Sequence, residues 1–275
     1  MFLSGIADEA GQAIEKQIAA HKELGWDHIE IRCVDKVSLT DVDDRTFSEI
    51  AEKIEKSGLK VSCFASQIAN WSRKISGDFN IDLAELKRAI PRMHRLNTRY
   101  IRVMSYPNDN YSDQDWRKEA VSRLKELAEI AEGGGVVLAH ENCFGWGGLD
   151  PEKALDIIEA VNSPAFMFLF DMGNKPHKSG TAYEVFRKVK NQIVYVHIKD
   201  FRGEEFVYPG EGECQVERIL TELYKSGYKG FVSIEPHITS VVHTGKEAQD
   251  KEMAYRSYIE YGKKARALLD RAISS

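Results

Sequence analysis

Residues 136–171 read VVLAHENCFGWGGLDPEKALDIIEAVNSPAFMFLFD, and this stretch decides the fold. It opens on a short apolar run at 136–141 and closes on another at 166–171. Between them Ala154, Ile157, Ile158 and Val161 recur at the spacing of one helix face. Strand, helix, strand is the pattern of a parallel crossover, since parallel strands need a long connection to return to the same edge.

The same alternation extends in both directions. Strand-like runs stand near 2–7, 27–32, 60–65, 99–104, 193–198 and 231–235, which with the quoted pair makes eight. Helical faces lie between them: Phe47, Ile50, Ala51 and Ile54; Ala120, Val121, Leu124, Leu127 and Ala128; Val216, Ile219, Leu220 and Leu223. A last amphipathic pattern runs from about Ala248 to Leu269. Ser112 and Asp115 form a capping-box pattern, and Gly58, Gly133 and Gly227 stand where helices should stop. Eight units in 275 residues predict a single (β/α)8 TIM barrel over 1–275, and no G-x-G-x-x-G follows the first strand to favour an open dinucleotide-binding sheet.

Bulk composition sets limits on partners. The chain is 43% hydrophobic and 29% charged, ordinary for a globular α/β protein. A net charge of −5 without a basic run gives no electrostatic reason to bind nucleic acid. No stretch of roughly 18 apolar residues predicts a membrane span, and the N-terminal segment lacks a secretory pattern. Cys33, Cys63, Cys143 and Cys214 form no CxxC pair, so free thiols and a cytoplasmic location are expected.

In such a barrel the reactive groups gather at the C-terminal ends of the strands. Period-two alternation places Val137, Ala139 and Glu141 on one face of the fifth strand, and Met167, Leu169 and Asp171 on one face of the sixth. The seventh groups Tyr195, His197 and Lys199, and the eighth Ser233, Glu235 and His237. Any one of these polar residues alone reads as a helix cap or an ion-pair partner. Together, three carboxylates and one imidazole aimed at one point would repel each other without a cation. Oxygen-rich ligation with one nitrogen suits one divalent ion, Mn²⁺, Mg²⁺ or Co²⁺ ahead of Zn²⁺.

The motifs GWDHIEIR (25–32), HEN (140–142), FDMGN (170–174), HIKD (197–200), PGEGE (209–213) and IEPH (234–237) carry a family resemblance. The chain resembles the xylose isomerase-like barrels, in particular the sugar phosphate isomerase/epimerase branch, over nearly its whole length. The resemblance implies a metal held by Glu141, Asp171, His197 and Glu235. It also implies that Glu141 and Glu235 flank a carbohydrate as an acid/base pair, moving a proton next to a carbonyl through a metal-stabilised enediolate. Relatives commonly carry His where Asn174 stands, so Asn174 would bind substrate through an amide instead.

Further substrate contacts are read at Lys199, with an ion pair as the alternative, and at Arg202, with a solvated loop arginine as the alternative. Trp71 and Trp146 follow strands three and five and offer flat walls against a sugar ring, or else core packing. Glu30 reads as an interior hydrogen-bonding residue, and PGEGE as a mobile loop over the site. A homo-oligomer, dimer or tetramer, is expected from the family.

Isomerisation or epimerisation of a small sugar or sugar phosphate needs only these groups. The competing enzyme reading is a keto-sugar or inositol dehydratase or lyase using the same enolisation. A hydrolase of abasic DNA would want more His ligands and a basic surface, and a non-catalytic binding protein would have no need of four ligand positions.

Overall fold

The computed structural model describes residues 1–175, 180–239 and 250–275. Eight strands form one parallel sheet: β1 (Phe2–Gly5), β2 (His28–Ile31), β3 (Lys60–Ala65), β4 (Tyr100–Ser105), β5 (Val137–Gly145), β6 (Phe166–Asp171), β7 (Ile193–Ile198) and β8 (Phe231–Ile234). The order around the sheet follows the chain from β2 to β8 and then returns to β1. A parallel bridge between Ile6 and Glu30 joins the two ends, so the sheet curls into a barrel with helices between successive strands.

The windows 60–65, 166–171 and 193–198 coincide with β3, β6 and β7. The largest difference is β5, which runs on to Gly145. Ser105 pairs with Gly145 beyond a register shift. Gly145 has φ +102°, and a side chain there would overlap the Ser105 backbone, so only glycine lets the two strands touch.

Local chemistry fixes the helix ends. Asp43 caps the helix Asp44–Ser57 by accepting from Thr46 N at 3.0 Å, and Gly58 ends it at φ +75°. Ser112 caps the helix Asp113–Gly133 through Asp115 N at 3.1 Å. Here the expected stop at Gly133 is corrected: Gly133 is still helical, and the left-handed turn falls on Gly135 at φ +68°. The final helix spans Lys251–Ser274; Ala248, where its pattern was expected to begin, lies outside the described residues.

Apolar residues pack mainly between sheet and helices, in two large clusters that divide the ring between them. Inside the barrel Cys63, Ala139, Leu169 and Tyr195 form a small plug. That plug contains the inward residues that alternation assigned to β5, β6 and β7, so the strand ends above it must point into the mouth. Among the described residues no helix is long and apolar enough to cross a membrane.

The PGEGE turn is not a free lid. Asp200, wholly buried after β7, accepts from Gly210 N at 2.9 Å and Gly212 N at 3.0 Å with one oxygen. Its other oxygen takes Phe201 N at 3.0 Å and Cys214 N at 3.1 Å. Four backbone donors on one carboxylate hold the turn down. Replacing Asp200 by Ala leaves those donors unpaired and should cost about 3–5 kcal/mol in urea unfolding, with the turn becoming the first site of limited proteolysis.

A pH effect follows from His21, buried on the helix Ile14–Glu23, where Nδ1 donates to Gln17 O at 2.9 Å and Tyr258 Oη donates to Nε2 at 3.3 Å. Burial lowers its pKa to about 4, whereas an unfolded chain's histidine titrates near 6.5. Between those values the unfolded chain binds the extra proton, so stability is full above pH ~6.5 and falls as pH drops toward ~4, by up to roughly 3 kcal/mol. Urea unfolding at pH 7 and pH 4.5 should show this loss, and His21→Gln should reduce it, leaving the part contributed by His140, whose burial likewise lowers its pKa to about 4.

Candidate metal and substrate site

Glu141 on β5, Asp171 at the end of β6, His197 on β7 and Glu235 just past β8 converge as the alternation requires. Each offers an oxygen or nitrogen, and these atoms all lie within 4.8 Å of one another. All four side chains are buried. The parallel register sets Asp171 beside His197, and His197 beside Ser233 two residues before Glu235.

The imidazole is oriented from below. Nε2 of His197 lies 3.1 Å from both oxygens of Glu30, which also accepts from Tyr195 Oη at 2.9 Å and Ser233 Oγ at 2.6 Å. Glu30 is thus an interior hydrogen-bonding residue, as read from the sequence. Because its carboxylate accepts, Nε2 carries the proton and Nδ1 faces the three acids, 3.6 Å from Glu141 and from Glu235. A metal-binding histidine is arranged in this way, with the far nitrogen donated to a carboxylate.

Among the described residues Glu141 Oε2, Asp171 Oδ2 and His197 Nδ1 have no hydrogen-bond partner, though all are buried. Buried polar atoms are rarely left so, and three of them facing one space fit a cation bound there.

Basic side chains offset the acids of the cluster. Lys199 places Nζ 2.6 Å from Asp171 Oδ2, close but not angled as a hydrogen bond, and 2.8 Å from Glu235 Oε2, where it donates. Burial pushes the Glu235 carboxyl up, but Lys199 and His237 more than offset this and hold it well below the usual range. For Asp171 burial wins: with Glu235 and Glu141 adding repulsion against the pull of Lys199, its pKa rises to about 7. Lys199 thus pulls on both carboxyls against the cost of burying them. Glu141 is also pushed up by burial, yet Arg102 and His197 bring it down to about 2.

Of the substrate contacts expected from sequence, two reach the site. Asn174 donates from Nδ2 to Glu141 Oε1 at 3.3 Å, and Lys199 lines the same cavity. Two do not. Trp146 is only 6% exposed and turns outward: Nε1 donates to Asp156 at 3.3 Å, Trp116 packs on its edge and Lys153 lies 3.7 Å above its ring. The extension of β5 to Gly145 carries the chain out of the mouth before Trp146 is reached. Arg202 sits on an exposed hairpin, Asp200–Arg202 with Glu205–Val207, and donates to the Glu211 carbonyl. The aromatic wall comes from Trp71, 37% exposed at the cavity.

Sequence reasoning missed the arginines. Arg102 on β4 stands 3.5 Å from Glu141 Oε2, and Arg32 stands 3.3 Å from Glu235 Oε1 while its other nitrogens donate to Asp8 at 2.9 and 3.0 Å. Glu9, 3.6 Å from Arg32, bonds His237 through both backbone and ring. A cue existed for Arg102, because an arginine inside YIRVMS is as costly to bury as an acid inside FMFLFD.

A family model described as xylose isomerase-like TIM barrel matches residues 18–261. An inosose isomerase of Bacillus velezensis is 25% identical over 241 residues, covering 81% of this chain and 82% of the relative. An inosose dehydratase of Glaesserella parasuis is 28% identical over 147 residues, covering 46% and 49%. An uncharacterised protein of Methanocaldococcus jannaschii is 34% identical over 122 residues, which is 42% of this chain and 41% of that one's length. Among solved structures, an IolI protein with a bound zinc atom is 21% identical with a TM-score of 0.76, covering 100% of this chain and 98% of its own.

Glu30→Gln tests the support beneath His197. An amide can turn its NH₂ toward the ring and no longer fixes which nitrogen faces the acids. Calorimetric titration with Mn²⁺ and with Zn²⁺ should show ~10–100-fold weaker binding than in the unaltered protein.

Proposed function

This chain belongs to the xylose isomerase-like TIM barrel family, and on that premise we propose that it is a divalent-metal-dependent enzyme that enolises a small keto-sugar or cyclic keto-polyol and returns the proton to give an isomer or epimer. The observation that carries this reading is the buried convergence of Glu141, Asp171, His197 and Glu235, with three of their polar atoms making no hydrogen bond among the described residues. Those four would hold one ion, and their oxygen-rich set favours Mn²⁺, Mg²⁺ or Co²⁺ while also accommodating zinc. When bound, the ion supplies Lewis acidity to the substrate's carbonyl and neighbouring oxygens.

The chain's own groups do the rest. Glu141 and Glu235 approach His197 Nδ1 from β5 and from beyond β8 at the same 3.6 Å, so both carboxylates are at hand for a substrate bound beside the imidazole. One takes the proton alpha to the carbonyl and the other returns it on the opposite face, their order set by the substrate's configuration. Asn174, beside Glu141, offers an amide to a hydroxyl, and Trp71 offers a flat face to the ring. The buried walls keep water from competing for the proton.

Dehydration after the same enolisation is the second reading. One feature favours it, similarity to an inosose dehydratase as well as to an isomerase. Metal analysis of purified protein, followed by incubation with inosose and a ketose panel in deuterated water, separates the cases. About one ion per chain and exchange of a carbon-bound proton, slowed at least ~100-fold by Glu235→Gln, are expected. Product mass equal to substrate mass apart from deuterium marks isomerisation, and loss of water marks the dehydratase. No ion and no exchange would sink both.

A further inference from the structure

We propose that Lys199 is a built-in counter-cation of the ligand cluster. Its ammonium bridges Asp171 and Glu235, and a divalent ion held by the same two acids must displace it into the adjoining cavity. The inference rests on the reading of those residues as metal ligands and adds to it a competitor encoded in the chain.

Lysine is almost never fully buried unless paired, yet Lys199 is only 2% exposed. Its Nζ stands 2.6 Å from Asp171 and 2.8 Å from Glu235, two acids from different strands, so one ammonium spans half of the four-residue set. Placed between them, it meets the requirement that makes an ion necessary, a positive charge among acids in a place with little water. Two cations cannot both stand between the same pair of oxygens at such distances without strong repulsion.

The chain also makes room for this arrangement. The Lys199 stem lies against the FDMGN turn, where any side chain at Gly173 would overlap its Cβ and Cγ. The turn that presents Asp171 is thus shaped around the lysine. Release is feasible for the same side chain, because lysine carries a compact charge on a flexible four-carbon stem, unlike the rigid fork of arginine. Lys199 already lines the cavity shared by Asn174, Arg102 and Trp71, so a small rotation about its stem moves Nζ off the acids and toward substrate oxygens.

Competition of this kind lowers apparent metal affinity by the factor that favours the closed arrangement. The test compares chelator-stripped protein with Lys199→Met, which keeps the stem and removes the charge. Calorimetric titration with Mn²⁺ and Zn²⁺ should show the variant binding at least tenfold more tightly. Without ion, its Tm should fall below that of the unaltered protein, and ion addition should restore it.

A direct readout on the unaltered chain needs no variant. The ¹⁵N signal of the Lys199 ammonium should be sharp and slow to exchange without ion, and should shift and exchange faster once Zn²⁺ is added. Equal or weaker metal binding by Lys199→Met, an unchanged ion-free Tm, or an ammonium signal indifferent to Zn²⁺ would each overturn the proposal. If the unaltered protein bound no ion at all, the functional reading would fail with it; if it bound one and Lys199→Met matched it, only this inference would fall. A variant that folded solely with ion present would be the strongest form of the expected result.

Discussion

Like charge crowded into a buried barrel mouth is the constraint on which the rest of this structure depends. Glu141, Asp171 and Glu235 lie within a few ångströms of one another, and Glu30 sits just beneath. Acids in such a place either bind a cation, take up protons or are matched by basic side chains. This chain uses matching on every side: Arg102 at Glu141, Lys199 between Asp171 and Glu235, Arg32 at Glu235, and Asp8 and Glu9 in turn around Arg32. Each basic group is itself buried, so the cluster stands or falls together, and loss of any one member leaves a neighbour uncompensated.

The barrel determines where that cluster can be. Its interior holds the Cys63, Ala139, Leu169 and Tyr195 plug, and the candidate ligands stand at the strand ends. Glu30 bridges the two regions. It is held by Tyr195 and Ser233 from the interior and holds His197 for the mouth, so the orientation of the candidate ligand is set by the packed centre of the fold rather than by a loop. A site built on strands in this way loses little order to loop motion.

The sequence was most legible where burial acts on every residue of an element. Runs such as FMFLFD and IVYVHI could only be strands covered on both faces, and period-two alternation then aimed Asp171 and His197 correctly. Helix ends were legible where a single side chain acts locally, as at Asp43 or Ser112. What escaped depended on three-dimensional neighbours that spacing does not encode. Trp146 looked like a wall until β5 proved longer than its apolar run. The glycines of PGEGE suggested mobility, but Asp200, just before that turn's hairpin, pins it. Arg32, just past β2, was overlooked because its acidic partners Asp8, Glu9 and Glu235 are distant in sequence, and Arg102 because the cost of burying it inside YIRVMS was not weighed.

The two glutamates best placed to move a proton are not equivalent, and the difference lies in their surroundings rather than their distance from His197. Glu235 has its oxygens occupied by Arg32 and Lys199, with His237 close behind. Glu141 has the looser company of Arg102 at 3.5 Å and the Asn174 amide at 3.3 Å, and its Oε2 lacks a hydrogen bond among the described residues. A carboxylate with an uncommitted oxygen can reach a new proton without first breaking a contact, whereas one held by two cations must shed part of its hold. On the proposed reading, the two candidate bases therefore differ in freedom. That asymmetry, set by residues 32, 102, 174 and 199 rather than by the four ligands, is where chains sharing the same metal-binding pattern can differ in the direction and outcome of their chemistry.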